Sequence, residues 1–144
     1  MSAQGPILII EDDEDDQFMI GLALDQLNVP NGKHFFDNGQ KALDYLLTTT
    51  EQPFLVLCDI NMPLMNGLEL QQIISKNEYL RKRAVPFVFL TTSANRDAVR
   101  IAYDQTVQGY FKKASSFEGI KEQLQLIVAY WKSCLHPNNI SETE

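Results

Sequence analysis

Short strand-like runs alternate with amphipathic stretches five times along this chain, and few folds accept that order. The strand-like runs are Ile7–Ile10, Lys33–Phe36, Phe54–Cys58, Pro86–Leu90 and Tyr110–Phe111. Each is followed by a stretch with helical periodicity. Asp15–Leu27 places Phe18, Met19, Leu22 and Leu27 on its predicted inner face. Asn38–Gly39 turns the chain into a helix through Ala42, Leu43, Leu46 and Leu47, and Asn66–Gly67 into one carrying Leu68, Leu70, Ile73 and Ile74. Asp97–Thr106 carries Val99, Ala102 and Tyr103; Ser116–Cys134 lines up Ile120, Leu124, Ile127, Trp131 and Cys134 on one stripe. Strand followed by helix, five times over, predicts an α/β chain with a doubly wound five-stranded parallel sheet flanked by five helices.

With 144 residues the chain is long enough for one domain with a sizeable core. No Gly-rich linker or charge run opens a second domain, so the expected division is a folded domain over 1–135 and a polar tail over 136–144. A net charge of −7 argues against a DNA or RNA surface, which needs a basic stripe. The longest apolar run, Leu126–Trp131, is too short to cross a bilayer, so no membrane role is expected. The opening MSAQGP does not read as a signal peptide. Cys58 and Cys134 lie far apart without a CxxC pattern, the usage expected of a reduced, cytoplasmic protein. His34 and His136 have no acid or cysteine at ligand spacing and read as structural or solvated.

Chemistry concentrates at the strand ends. In FLVLCDINMPLMNG, residues 54–67, an apolar strand stops at Asp59 and the chain reverses through Met62–Pro63 and Asn66–Gly67. In a parallel sheet every carboxyl end lies on one edge, where ligands of open α/β sheets bind. Glu11 and Asp12 follow the first strand, Asp59 the third, Thr91 the fourth and Lys113 the fifth. Clustered carboxylates raise one another's pKa and call for a cation. A set of oxygen donors with few protein carboxylates suits Mg²⁺ that keeps several waters. A hydroxyl and an ammonium beside it form a second positive pole of the kind phosphoryl chemistry requires, with a lone carboxylate as nucleophile. In the acidic run EDDEDD, Glu11 and Asp12 are assigned to the metal, and Asp13–Asp16 to the first turn of a helix, where they complement the macrodipole.

Together, ILIIEDD, LCDINMPLMNG, PFVFLTTS and GYFKKA resemble, in order and spacing, the receiver domain of two-component response regulators, over about Pro6 to Leu135. The resemblance implies strand order 2-1-3-4-5, with Asp59 as phosphoacceptor and Glu11 and Asp12 as the acidic pair that positions Mg²⁺. Asp12 would be the direct ligand, with the main-chain carbonyl of Asn61 beside it. Thr91 matches the switch hydroxyl, Lys113 the phosphate-binding lysine and Tyr110 the switch aromatic. Asn61 and Ser93 match positions that tune dephosphorylation. The family usually has Lys-Pro after strand five where this chain has Lys113–Ala114, which makes Lys112 a rival for the lysine role. The segment Asn77–Val85 is longer than in the shortest receivers and, with the final helix, resembles the single-domain regulators that serve phytochrome-type kinases.

The expected function is therefore that of a stand-alone receiver, not an enzyme acting on a separate substrate. It would take phosphoryl from a histidine kinase or phosphotransfer protein and act through a downstream protein or a homodimer. Two alternatives come from other classes. One is a receiver-like binding module that is never phosphorylated. The other is a phosphatase of the haloacid dehalogenase type, whose second aspartate is replaced here by Asn61.

Overall fold

Parallel pairing of β1 (Ile7–Ile10) with β2 (Lys33–Phe36) on one side and β3 (Leu55–Cys58) on the other sets the centre of the sheet. β4 (Phe87–Thr91) adds to β3 and β5 (Gly109–Lys112) to β4, giving the order β2-β1-β3-β4-β5. The structure, a computed structural model, describes residues 4–135; His136 and the tail assigned to 136–144 lie outside them. The predicted fold class and strand order are as expected, and β4 runs one residue further, so that Thr91 is its last residue and pairs with Lys112.

Alternate residues of the strands feed two cores. Leu8, Ile10, Val56, Cys58, Phe87 and Phe89 face α2 (Gly39–Thr48), α3 (Gly67–Lys76) and α5 (Arg96–Asp104). Ile7, Ile9, Leu55, Leu57, Val88 and Leu90 face α1 (Glu14–Gln26) and α6 (Phe117–Ser133). Side chains such as Leu24 and Leu124 are fully buried, each worth ~1.5–3 kcal/mol relative to exposure. The stripe on α6 is as predicted for Ile120, Leu124 and Ile127, which are buried, and for Trp131, packed against them. Cys134 falls off it: the helix ends at Ser133, and Cys134 is its extended, half-buried cap.

Two expectations need correction. The chain has six helices among the described residues, not five: α4 (Glu78–Lys82) occupies the long segment after α3. Asn77 makes this possible by serving both ends, its N–H donating to the carbonyls of Ile73 and Ile74 while its side chain caps α4 through Leu80 N–H. The second correction concerns α1. Its buried face is Ile20, Ala23 and Leu24, flanked by Met19 and Leu27, whereas Phe18 is 69% exposed and Leu22 also faces outward. Close approach of helix to sheet uses small residues, and a reading weighted towards large apolar ones rotates the helix the wrong way. Phe18 and Leu22 instead border a shallow hollow with Phe35 of the edge strand β2, over Gly21. Leu47, Ile73 and Tyr103 likewise end at exposed margins of their helices.

Candidate functional site

Five strands end on one edge, and the residues at those ends converge. Glu11, Asp12 and Asp59 each offer a carboxylate oxygen, and the three oxygens lie within 4.8 Å of one another. Glu11 is buried and Asp12 exposed, so the group opens to solvent on the Asp12 side. The donor set fits a hard divalent cation such as Mg²⁺ or Mn²⁺, which takes oxygen ligands and keeps some of its waters.

Asp59 is fixed by its own loop. Its Oδ1 accepts from Ile60 N–H at 2.6 Å and from the Thr91 hydroxyl, while Oδ2 stands 3.8 Å from Lys113 Nζ. The start of α3 presses against it. Gly67 N–H donates to Ile60 O at 2.9 Å, and a Cβ on Gly67 would come within 2.2 Å of the Asp59 carbonyl oxygen. Asn66 completes the turn with a capping box to Glu69.

Lys113 is the hub of the charge network. Its ammonium donates to Glu11 Oε1 at 2.5 Å and to Asp16 Oδ2 at 2.9 Å. Of the two lysines, Lys113 is the one brought to the acidic group, whereas Lys112, the last residue of β5, is exposed. Every peptide among the described residues is trans, Lys113–Ala114 included. Asp16 is the residue that reading the sequence missed. Assigned to the helix dipole with its neighbours, it reaches back from the first turn of α1 to the ammonium, while Asp13 does cap that turn by accepting from Asp15 and Asp16 N–H. Its only sequence signal is its place in a helix that starts directly after a strand end.

Burial pushes Glu11 up to about 8, against the pull of the Lys113 hydrogen bond and with added repulsion from Asp59. Burial works to lower Lys113, but its bonds to Glu11 and Asp16 outweigh that and leave it raised. The two shifts oppose each other, because a proton on Glu11 weakens the pair that raises Lys113. The ammonium is the firmer of the two, since Asp16 and Asp59 face it whatever the state of Glu11. Burial also works to raise Asp16, yet the Lys113 hydrogen bond and charge bring it down.

A second chain of contacts leads outward. Ser93 N–H donates to Thr91 Oγ1 at 3.2 Å, the Ser93 hydroxyl meets the Asn61 amide at 2.5 Å, and the Ser93 carbonyl accepts from the Tyr110 hydroxyl. The Tyr110 ring packs on Phe89 with centroids 5.6 Å apart. Thr91, Asn61, Ser93 and Tyr110 are thus brought together, and the Thr91 hydroxyl already engages Asp59. His34 is paired with exposed Glu51 and tilted against Tyr45, ring centroids 5.2 Å apart.

Comparison with known proteins gives a consistent picture. Residues 7–125 match the model of the response regulator receiver domain. The chain is 34% identical over 137 residues to the probable methanogenesis regulatory protein FilR2 of Methanothrix harundinacea, covering 91% of this chain and 87% of that one. Its backbone superposes on the phosphorylated cyanobacterial phytochrome response regulator RcpA with a TM-score of 0.82 at 28% identity, covering 91% and 96% of the two chains. The Mn²⁺-bound form of response regulator Rcp1 follows at 0.79 and 25% identity, with coverage of 91% and 96%.

Proposed function

The chain belongs to the response regulator receiver domain family, and on that premise we propose that it is a phosphoacceptor of a two-component relay. Asp59 would take a phosphoryl group from the phosphohistidine of a histidine kinase or phosphotransfer protein. The observation that carries this reading is the meeting of three carboxylates, the Thr91 hydroxyl and the Lys113 ammonium around Asp59. The likeness to phytochrome response regulators favours a phytochrome-type kinase as donor.

Glu11, Asp12 and Asp59, with the Asn61 carbonyl as the further expected ligand, would hold Mg²⁺. The bound ion supplies positive charge to the phosphoryl oxygens. An Asp59 carboxylate oxygen forms the new P–O bond as the P–N bond to the donor imidazole breaks, and the imidazole leaves with that electron pair and takes up a proton. Ile60 N–H and the Thr91 hydroxyl hold Oδ1 and so fix the rotation of the carboxylate. Lys113 faces Oδ2 and meets the charge that arrives with the phosphoryl group.

Once Asp59 is modified, the Thr91 hydroxyl exchanges a carboxylate oxygen for a phosphoryl oxygen as its acceptor. Ser93 moves with it through its N–H, and Tyr110 follows through the Ser93 carbonyl. The output surface is the outer side of α5 and α6, where Ile101, Tyr103, Leu126 and Tyr130 are exposed, open to a downstream protein or a second copy. Asn61 offers an amide bonded to Ser93 where a dehalogenase-type phosphatase needs its second acid.

Incubation with acetyl phosphate and Mg²⁺ tests the proposal. Intact-mass measurement should show one acid-stable, base-labile phosphoryl group, absent in Asp59→Asn. No uptake by the wild-type chain would leave the unphosphorylated binding module as the better reading.

A further inference from the structure

We propose that Gln123 is a positioning residue for Lys113, clamping the loop on both sides of it; this rests on the phosphoacceptor reading above. A lysine side chain is long and flexible, so its ammonium is placed only as well as its backbone. Lys113 is the first residue after β5, in the connection to α6. Its own N–H donates to the Thr91 carbonyl at 2.8 Å. On either side the partner is one side chain: Gln123 Nε2 donates to Lys112 O at 2.7 Å, and Gln123 Oε1 accepts from Ala114 N–H at 3.0 Å.

A primary amide carries a donor and an acceptor on one planar group and so can make both bonds at once. The second also requires an N–H at position 114, which proline would lack. The helix that carries Gln123 is seated close to the loop. A Cβ on Gly119 would lie 2.7 Å from Ala114 Cβ, so Gly119 admits the approach that brings Gln123 within reach. Residues 112–114 are therefore tied to β4 and α6, and the ammonium is aimed at Glu11, Asp16 and Asp59 from a fixed base. The ion pairs set where the ammonium ends, and the clamp sets where the side chain starts.

The test compares Gln123→Ala, Gln123→Glu and Lys113→Ala, singly and with Gln123→Ala placed in the Lys113→Ala background. Phosphoryl uptake from acetyl phosphate with Mg²⁺ is one readout, and amide exchange of Ala114 without phosphodonor or metal is the other. Gln123→Ala should speed Ala114 exchange and slow uptake roughly three- to tenfold, the weight of about one ordinary hydrogen bond. Gln123→Glu keeps the acceptor for Ala114 but loses the donor to Lys112, and should fall between Gln123→Ala and wild type. In the Lys113→Ala background the Gln123 change should add nothing to the uptake defect, because what it positions is gone. An equal slowing in both backgrounds would make Gln123 merely structural and overturn the inference. So would unchanged uptake in Gln123→Ala while Lys113→Ala is slow. Wild type that takes up no phosphoryl would remove the underlying reading, and the inference with it, even if Ala114 exchange confirmed the clamp.

Discussion

Lys113 donates a 2.5 Å hydrogen bond to Glu11, joining the end of β1 to the residue after β5 across 102 positions of sequence. This buried pair lies beside Asp59, whose Oδ2 is 3.8 Å from the same ammonium, and it shapes how the metal-free site responds to protons.

The first prediction concerns pH. Burial raises Glu11 from 4.5 to about 8, so it binds its proton more readily in the fold than in the unfolded chain. The stabilisation is fully present below 4.5 and is lost as pH rises through about 8. Without divalent metal, thermal melts should therefore show Tm falling across that window, and Glu11→Gln should flatten the fall. A Tm that rises over the same range in wild type would contradict the assignment.

Metal should relieve the same crowding. Millimolar Mg²⁺ is expected to raise Tm, by about 1.4 kcal/mol in stability when the free ion stands at roughly ten times its dissociation constant. Asp12→Ala should lose most of the gain. An identical response in wild type and Asp12→Ala would move the site elsewhere.

Thr91 and Lys113 should separate uptake from output. Lys113→Ala removes a charge-assisted bond worth ~1.5–3 kcal/mol and should slow phosphorylation roughly ten- to a hundredfold. Lys112→Ala should leave it near wild type. Thr91→Ala should take up phosphoryl with a smaller loss yet fail to change partner binding or self-association. Asp16→Asn keeps a hydrogen bond to Lys113 but not the charge, and its slowing should be milder than that of Lys113→Ala. Phosphorylation rates and sedimentation with and without acetyl phosphate distinguish these outcomes.

Gly67→Ala tests the backing of the phosphoacceptor. The added Cβ would meet the Asp59 carbonyl oxygen at 2.2 Å and the Phe89 ring at 2.9 Å, and a backbone atom cannot swing aside. Overpacking of this kind costs ~1–3 kcal/mol, readable as a lower midpoint in urea. Phosphoryl uptake should fall as well, because the displaced loop carries Asp59. Wild-type stability in this variant would show that the α3 start has room to retreat.

Much of this molecule follows from sequence alone, for a physical reason. Side-chain period distinguishes strand from helix, a strand–helix order dictates parallel pairing, and parallel pairing collects every strand end on one edge. Glu11, Asp12, Asp59, Thr91 and Lys113 are therefore legible in the sequence as a group. Other features depended on how packed elements rotate and approach, which periodicity does not specify. Phe18 and Leu22 turn outward because Ala23 and Leu24 let α1 settle on the sheet by another face. Asn77 could end one helix or begin another, and only the packing of Leu80 into the core shows that it does both. Asp16 looked like its acidic neighbours until the fold brought Lys113 to it from 97 positions away. Gln123 had no signal at all, because two ordinary hydrogen bonds to a loop have meaning only once α6 lies beside β5. The sequence by itself determined which residues reach the edge; the tertiary structure decided which of them touch, since contact depends on helix rotation and close approach that no local pattern encodes.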